Sequence, residues 1–300
     1  MDIETPASLR GKLTSRARED SRQTGVSVAE LVQQYVFQRL LARVFQQDGW
    51  LLKGGQALLV RYPTAARNSR DIDLIRPGQP DLEEAAQALE DAARVDLGDF
   101  FRFTPSGRTL HDGSAEVRFT AQLGAATWQI KVDLVVRRTV TSVPVRKPLV
   151  PAVSLPWPAD SWPEVVLYPI ADHIADKVCA MYEWHGQGKP STRFRDLADL
   201  LLISQQESLV GKEIVAAIAG ERIRRPECGI DLRLPDVFEI PDQASWVRGY
   251  AKAARDVAGL VGCATLTEAA AAAAIFVTPL LGSADPGFWD PASPGWRSVD

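Results

Sequence analysis

Two aspartates separated by one residue form the most chemically suggestive pattern in the sequence. Asp71 and Asp73 flank one isoleucine, and the apolar residues that follow predict a strand. Side chains two residues apart on a strand point to the same face, so the two carboxylates should lie together. Like charges held that closely repel each other unless a cation is bound between them. A hard divalent ion such as Mg²⁺ suits them, since it takes one or two carboxylates and completes its shell with phosphate oxygens.

A pair of glycines, Gly54 and Gly55, precedes the aspartates and opens an apolar segment of helical character. Glycine lets a ligand approach the backbone closely, and a helix N-terminus presents amide groups to an anion. Alone, the glycines could be a simple turn and the aspartates a solvent-facing pair. In this order, the two features together indicate metal-assisted phosphate chemistry.

Neighbouring elements must position these residues. Ser27 and Glu30 form a capping box that predicts the helix leading to the glycines. After the aspartates, alternation and β-branched or aromatic residues predict strands over residues 101–103, 115–120 and 127–136. Asp133 is the one acid in the last of these strands, and Lys131 shares its face. Asp133 therefore forms either an ion pair or a metal ligand, because a lone buried carboxylate is costly.

Composition and charge limit the class of protein. The chain has 300 residues, of which 46% are hydrophobic and 24% charged, enough for one large or two medium cores. Its net charge of -4 means that any nucleic-acid contact depends on local basic patches. Three scattered cysteines predict a reducing compartment without disulfides or zinc. No signal peptide or membrane span is recognisable, so we expect a cytoplasmic protein.

The sequence divides into two parts. Six prolines between residues 144 and 163 interrupt regular structure, which predicts domains over residues 1–150 and 151–300. The second part is mainly helical, with two tail tryptophans, Trp289 and Trp296, that should anchor the tail to the body. A basic helix is also predicted over residues 8–22, where the charges either face solvent or contact phosphates.

Two polar features stand out in the helical part. Lys177 lies on an amphipathic helix, where a solvated lysine in a salt-bridged helix is the simplest interpretation. Arg195 and Asp196 open a further apolar helix, and an acidic residue at that position is favoured by the helix dipole.

The combined pattern resembles the AbiEii-type nucleotidyltransferase toxins of the DNA polymerase beta-like superfamily. The matching segments are Lys53-Gly54-Gly55, Arg67-x-Ser69-x-Asp71-Ile72-Asp73-Leu74, and Lys177 followed by Arg195-Asp196-Leu-x-Asp199. The resemblance implies an α+β fold. Its N-terminal part would be a polymerase beta-like nucleotidyltransferase domain with a mixed sheet flanked by helices. Its mainly helical C-terminal domain would complete the active site.

The resemblance also implies roles for these residues. Asp71 and Asp73 would bind Mg²⁺, with Asp133 as a third carboxylate on the neighbouring strand. Lys177 would contact the triphosphate, and Asp196 would hold basic groups in position. The nucleotide-binding residues would be the other members of the pattern: Lys53, Gly54, Gly55, Arg67, Ser69 and Arg195.

The implied activity is transfer of a nucleoside monophosphate from an NTP to an RNA acceptor, the tRNA 3′ end, which inhibits translation and growth. The implied partner is a winged-helix antitoxin of the AbiEi type, within a type IV toxin–antitoxin or abortive-infection system. Two alternatives stay open. An NTP-dependent kinase uses the same lysine, aspartate and Mg²⁺ chemistry, and a non-catalytic module would bind nucleotide only.

Overall fold

A computed structural model describes residues 5–78, 81–111, 113–136, 138–155 and 162–298. The chain forms two compact units. Unit 1 comprises Met1–Pro63, Asn68–Thr139 and Pro144–Tyr168; unit 2 comprises Thr64–Arg67, Val140–Val143 and Pro169–Asp300. The proline-rich segment belongs to unit 1, and its residues 156–161 lie outside the described residues. The division into domains at residue 150 stays a prediction.

Unit 1 combines helices with one mixed sheet. Its helices are α1 (Pro6–Thr24), α2 (Val28–Val44), α3 (Gly54–Arg61) and α4 (Leu82–Ala93). Its strands are β1 (Leu51–Lys53), β2 (Ile72–Arg76), β3 (Arg102–His111), β4 (Ser114–Leu123), β5 (Ala126–Val136), β6 (Val145–Pro148) and β7 (Glu164–Leu167).

The strands are ordered β3-β4-β5-β2-β1-β7-β6. The pairs β2–β5 and β1–β7 are parallel, and the other pairs are antiparallel. This arrangement confirms the mixed sheet, in which β4 and β5 form a hairpin beside the aspartate strand β2. Strand β5 is the third strand from one edge of the sheet. Its residues 130–136 alternate between buried and half-buried positions, because one face of the sheet packs against helices.

Helix α2 packs against α1, α4 and strand β5. Ser27 and Glu30 form the predicted capping box, with each side chain bonded to the other residue's backbone amide. Buried residues of α2, such as Tyr35 and Phe37, join the apolar cluster formed by the strands and α4. Three charged side chains are also enclosed there: Asp99 bonds Arg39 and Arg43 at 2.6 Å each. The sheet and its helices thus share one continuous core.

Unit 2 is mainly helical, as predicted. Its helices are α5 (Ile170–Met181), α6 (Phe194–Gln206), α7 (Gly211–Glu227), α8 (Gln243–Arg255) and α9 (Leu266–Leu281), with a short 3₁₀ turn at Gly186–Gly188. Its strands are β8 (Glu183–His185), β9 (Lys189–Pro190), β10 (Leu209–Val210), β11 (Asp231–Leu232), β12 (Phe288–Trp289) and β13 (Trp296–Arg297).

Helix α6 lies at the centre of unit 2, packed against α5, α8 and α9. The tail packs against α6 and α9. The indole of Trp289 donates to the Ser204 carbonyl on α6, and the indole of Trp296 donates to the Phe276 carbonyl on α9. The prediction that these tryptophans anchor the tail is confirmed. None of the helices in the described part of the chain has both the length and the hydropathy of a bilayer-spanning segment.

Candidate active site

The predicted metal-binding carboxylates lie on adjacent strands of unit 1. Strands β2 and β5 place Asp73 opposite Asp133, and β1 places Lys53 on the other side of Asp73. Asp71 directly precedes β2, so the strand begins one residue later than predicted. Residues opposite each other in a sheet present side chains to the same face. One face of the sheet therefore carries Lys53, Asp73 and Asp133 side by side.

Lys131 is the cation among these carboxylates. Its Nζ lies 2.8 Å from Oδ2 of Asp133 and 3.7 Å from Oδ2 of Asp71. The hydrogen bond from Lys131 to Asp133 raises the pKa of the lysine, with further contributions from the charges of Asp133 and Asp71. The side chains of Asp71 and Asp133 are 38% and 36% exposed, so a ligand in solution can reach both. Of the two alternatives predicted for Asp133, the ion pair is present in this structure, with Lys131 as the partner.

Whether the same residues suit Mg²⁺ is a question of their chemistry. Over the described ranges, no three side chains of His, Cys, Asp or Glu converge closely enough to hold a metal ion. Asp71 and Asp133 nevertheless direct hard oxygen atoms at one positive charge, that of Lys131. Mg²⁺ needs only one or two protein carboxylates when substrate phosphates supply other ligands. The donor chemistry fits, and the assignment of Asp71, Asp73 and Asp133 as ligands stays a prediction.

The glycine pair lies against these residues. Gly54 begins α3 with a φ of +64°, and a Cβ there would overlap Oδ2 of Asp73. A Cβ at Gly55 would lie 2.7 Å from Oγ of Ser69. Lys53, the N-cap of α3, makes no side-chain hydrogen bond to the first turn. Amides of that turn lack intrahelical partners, which makes them suitable donors to a phosphate.

Buried glutamines hold the loop that carries Ser69. Gln34 Nε2 donates to the Ser69 carbonyl at 2.8 Å, and Gln56 Nε2 donates to Gln34 Oε1 at 2.9 Å. The Ser69 hydroxyl in turn donates to Oδ1 of Asp71 at 3.1 Å. Gln34, on α2, and Gln56, on α3, thereby fix the serine and the adjoining carboxylate relative to the glycine turn.

A second group of predicted residues lies in unit 2, around Lys177 on α5. Its Nζ donates to Oδ1 of Asp196 and to Oδ2 of Asp199, both on α6 and both at 2.7 Å. Lys177 is only 6% exposed, so the interpretation as a solvated lysine is wrong. Burial opposes its charge, but the two carboxylates outweigh burial and the pKa of Lys177 is raised.

Asp199 completes this group by bonding both Lys177 and Arg67. No role was predicted for it from the sequence. It is fully buried and accepts two hydrogen bonds from Arg67, from Nε at 3.0 Å and from Nη2 at 2.9 Å. Burial alone would raise its pKa, but Lys177 and Arg67 lower it. Its spacing of three residues from Asp196 places both acids on one face of α6, a pattern visible in the sequence.

The predicted site residues thus form two local groups. Unit 1 brings together Lys53, Gly54, Gly55, Ser69, Asp71, Asp73 and Asp133. Unit 2 brings together Arg67, Lys177 and Asp196 around Asp199. Arg195 is exposed on α6 and belongs to neither network among the described residues.

Comparison with known proteins identifies the family of this chain. The model of the family described as "Nucleotidyl transferase AbiEii toxin, Type IV TA system" matches residues 36–268. No curated protein matches the chain at a significant level.

Solved structures with a similar course of the chain include two bacterial proteins. MenT4, the nucleotidyltransferase toxin Rv2826c from Mycobacterium tuberculosis H37Rv, is 16% identical, with 92% of this chain and 98% of that chain covered and a TM-score of 0.47. JHP933 from Helicobacter pylori is 14% identical, with 84% and 90% covered and a TM-score of 0.45. Because the family model covers most of the sequence, the chain belongs to the AbiEii family of nucleotidyltransferase toxins of type IV toxin–antitoxin systems.

Proposed function

We propose that this chain transfers a nucleoside monophosphate from an NTP to an RNA acceptor, the 3′ end of tRNA, in a Mg²⁺-dependent reaction. The observation that carries the proposal is the placement of Asp71 and Asp133 around a single positive charge, on a sheet face next to the glycine turn. A toxin of this activity would inhibit translation and growth by making tRNA unusable.

Each residue of the unit 1 group has a role in this proposal. Asp71, Asp73 and Asp133 would hold Mg²⁺, which supplies charge neutralisation at the phosphates and lowers the pKa of an attacking hydroxyl. The open amides at the start of α3 bind phosphate oxygens. Ser69 keeps Asp71 oriented through the hydroxyl–carboxylate hydrogen bond. Gly54 leaves room for the Asp73 carboxylate.

The predicted roles of the remaining residues rest on the family resemblance. Lys177 would contact the triphosphate, and a lysine suits this task as a compact point charge. Asp196 would keep it in position through their 2.7 Å hydrogen bond. Arg67, Arg195 and Lys53 would contribute further positive charge to nucleotide binding. The partner that neutralises the toxin would be a winged-helix antitoxin of the AbiEi type.

Isotope position distinguishes this reaction from its alternative. Purified protein is incubated with Mg²⁺, total tRNA and each of the four NTPs, labelled at either the α- or the γ-phosphate. Nucleotidyl transfer places the α-label on tRNA and releases pyrophosphate, whereas a kinase would transfer only the γ-label. Terminal sequencing of labelled tRNA then identifies the added nucleotide and its position.

Two variants make the experiment specific. Asp71→Ala should abolish labelling and growth arrest. Asp91→Asn removes a carboxylate from the exposed surface of the same unit, where it pairs with Arg94, and should leave both unchanged. An Asp71→Ala protein as toxic as the parent would revive the non-catalytic alternative. Label from γ-labelled NTP alone would replace the proposal with phosphotransfer.

A further inference from the structure

Helix α1 carries an oblique row of arginines on its solvent side. Arg10, Arg18 and Arg22 are all exposed, and Thr14 occupies the remaining position of the four-residue spacing. Four residues advance an α-helix by about 6 Å and rotate it by about 40° beyond one turn. Arg18 and Arg22 are therefore neighbours on the helix, and Arg10 lies about 12 Å before Arg18 along the axis and about 80° from it around the helix. We refer to Arg10, Arg18 and Arg22 as the arginine row.

The positive charge of the arginine row is not compensated locally. The acids of α1 are Glu19 and Asp20, and both pair with Arg16, at 2.8 Å and 3.4 Å. Among the residues that the structure describes, none forms a hydrogen bond or an ion pair with a side chain of the row. Helix α1 carries five basic and two acidic side chains, a net charge of +3, and therefore forms a distinct positive patch in a protein with a net charge of -4.

Around the row, helix α1, which is described over its whole length, exposes no large apolar side chain. The neighbours of the three arginines are the small residues Gly11, Thr14 and Ser21, and the apolar residues Leu9, Leu13 and Ala17 are buried. Protein interfaces bury an apolar core with aromatic residues at its centre. A row of cations over small polar residues instead matches a chain of phosphates, which small side chains allow to approach closely.

We propose that the arginine row binds the phosphate backbone of the RNA acceptor. This inference rests on the proposed function, since it requires RNA as the second substrate. The row lies outside residues 36–268, the part that the family model matches. The contacts would be independent of base sequence, because phosphates position a nucleic acid without identifying its bases.

The dependence of RNA affinity on salt tests the proposal. Fluorescence anisotropy measures the dissociation constant for labelled tRNA between low and moderate salt, without NTP. Each phosphate contact contributes about 0.7 to 0.9 to the slope of log affinity against log salt concentration. The triple variant Arg10→Gln, Arg18→Gln, Arg22→Gln should reduce that slope by about 2 to 3. Glutamine keeps the helix propensity of arginine, so folding should be retained.

A matched triple variant controls for total charge. Arg94→Gln, Arg108→Gln and Arg146→Gln remove the same number of charges from the same unit, but each of these arginines is paired with an acid outside α1. Its slope should stay close to that of the parent. Lysines at the row positions, Arg10→Lys, Arg18→Lys and Arg22→Lys, should restore the slope, because a phosphate contact requires only a positive charge.

Transfer assays separate this inference from the proposed function. The glutamine triple should raise KM for tRNA and leave KM for NTP unchanged. If the parent labels tRNA and the glutamine triple keeps the parent's affinity and slope, the arginine row does not bind RNA and the proposed function stands. If the row controls RNA affinity but no labelled tRNA forms, the proposed function fails alone. Equal loss in both triple variants would reduce the effect to net charge and overturn the inference.

Discussion

The backbone of Gly54 lies against the carboxylate of Asp73 so closely that a methyl group on Gly54 would overlap Oδ2. This contact brings together the glycine turn and the aspartate strand, which are separate segments of the sequence. It does so because β1 and β2 are antiparallel neighbours, with Lys53 opposite Asp73. Glycine is required here for space as well as for its left-handed backbone conformation.

Replacing Gly54 with alanine should therefore abolish transfer by displacing Asp73. A displacement of about 1 Å in a reacting geometry costs about 100-fold in rate, and we expect at least that loss in kcat. The left-handed conformation adds about 1–2 kcal/mol of destabilisation. Steady-state transfer kinetics and urea unfolding measure the two effects separately.

Gly78→Ala is the matched control for backbone strain. Gly78 follows β2, the strand that carries Asp73, and has a φ of +73°. A Cβ on Gly78 would have no atom within 4 Å. It should lose a similar amount of stability and keep its activity. Equal activity losses in the two variants would show that strain, rather than contact with Asp73, explains the effect.

Mg²⁺ binding should depend on Asp71 in the presence of a nucleotide that cannot react. A ligand bound only by the folded state raises Tm, by an amount that grows with its concentration relative to Kd. Even outer contacts of metal ligands are worth about 10–100-fold in metal affinity, so Asp71→Asn should weaken Mg²⁺ binding by about 100-fold or more. Thermal unfolding across a Mg²⁺ titration measures it, with Asp91→Asn as the control. A Mg²⁺-dependent Tm shift that Asp71→Asn leaves unchanged would remove Asp71 from the metal site.

Local patterns were the part of this fold that the sequence could predict. The capping box at Ser27 is present as expected, because capping depends on residues three apart. The alternation that placed Asp133 and Lys131 on one face of a strand is likewise a short-range pattern. The position of Asp133 beside Asp73 was implied by the family resemblance alone, because it depends on the pairing of two strands that lie far apart in the sequence.

Long-range ion pairs were beyond sequence reasoning. Arg67 lies next to the aspartate segment in sequence, yet its guanidinium bonds Asp199, a residue 132 positions later. Local propensity holds no information about such a pairing, since it depends on how whole elements pack. Lys177 and Asp196 were linked only by the family pattern. The burial of all these charges, and hence the central position of Asp199, emerges from the packing of α5 against α6.

Removing the charge of Asp199 should destabilise the protein in a pH-dependent way. Asp199→Asn leaves Lys177 and Arg67 buried with less negative charge, a change that typically costs about 3–5 kcal/mol. The pKa of Asp199 is lowered in the folded state. Its contribution is therefore complete above its unfolded pKa, about 3.9, and is lost as pH falls through the folded pKa. The stability difference between parent and variant should be constant near pH 7 and shrink below about pH 4.

Asp231→Asn provides the comparison for Asp199. Asp231 pairs with Arg233 on the exposed surface of the same unit, and its substitution should leave the urea midpoint at pH 7 within experimental error. Urea unfolding of the parent and of both variants at neutral and acidic pH makes the comparison. A difference for Asp199→Asn that grew on acidification would contradict the lowered pKa.

The side chain of Trp289 should contribute more to the free energy of unfolding than the exposed side chain of its neighbour Phe288. Trp289 is 3% exposed, packs edge-on against Phe276 at 4.8 Å and donates to the buried Ser204 carbonyl at 2.7 Å. Trp289→Phe keeps an aromatic ring and deletes the donor, which should cost about 1–3 kcal/mol. Trp289→Ala should cost about 3–5 kcal/mol by leaving a cavity.

Phe288→Ala, one residue earlier on the same strand, removes a ring that is 48% exposed. Surface substitutions of this kind usually change stability by about 0.5 kcal/mol or less. Urea unfolding followed by far-UV circular dichroism compares the three variants without depending on tryptophan fluorescence. If Trp289→Phe were as stable as the parent while Trp289→Ala was not, the contribution of Trp289 would come from ring packing, because the hydrogen bond to Ser204 would then contribute nothing.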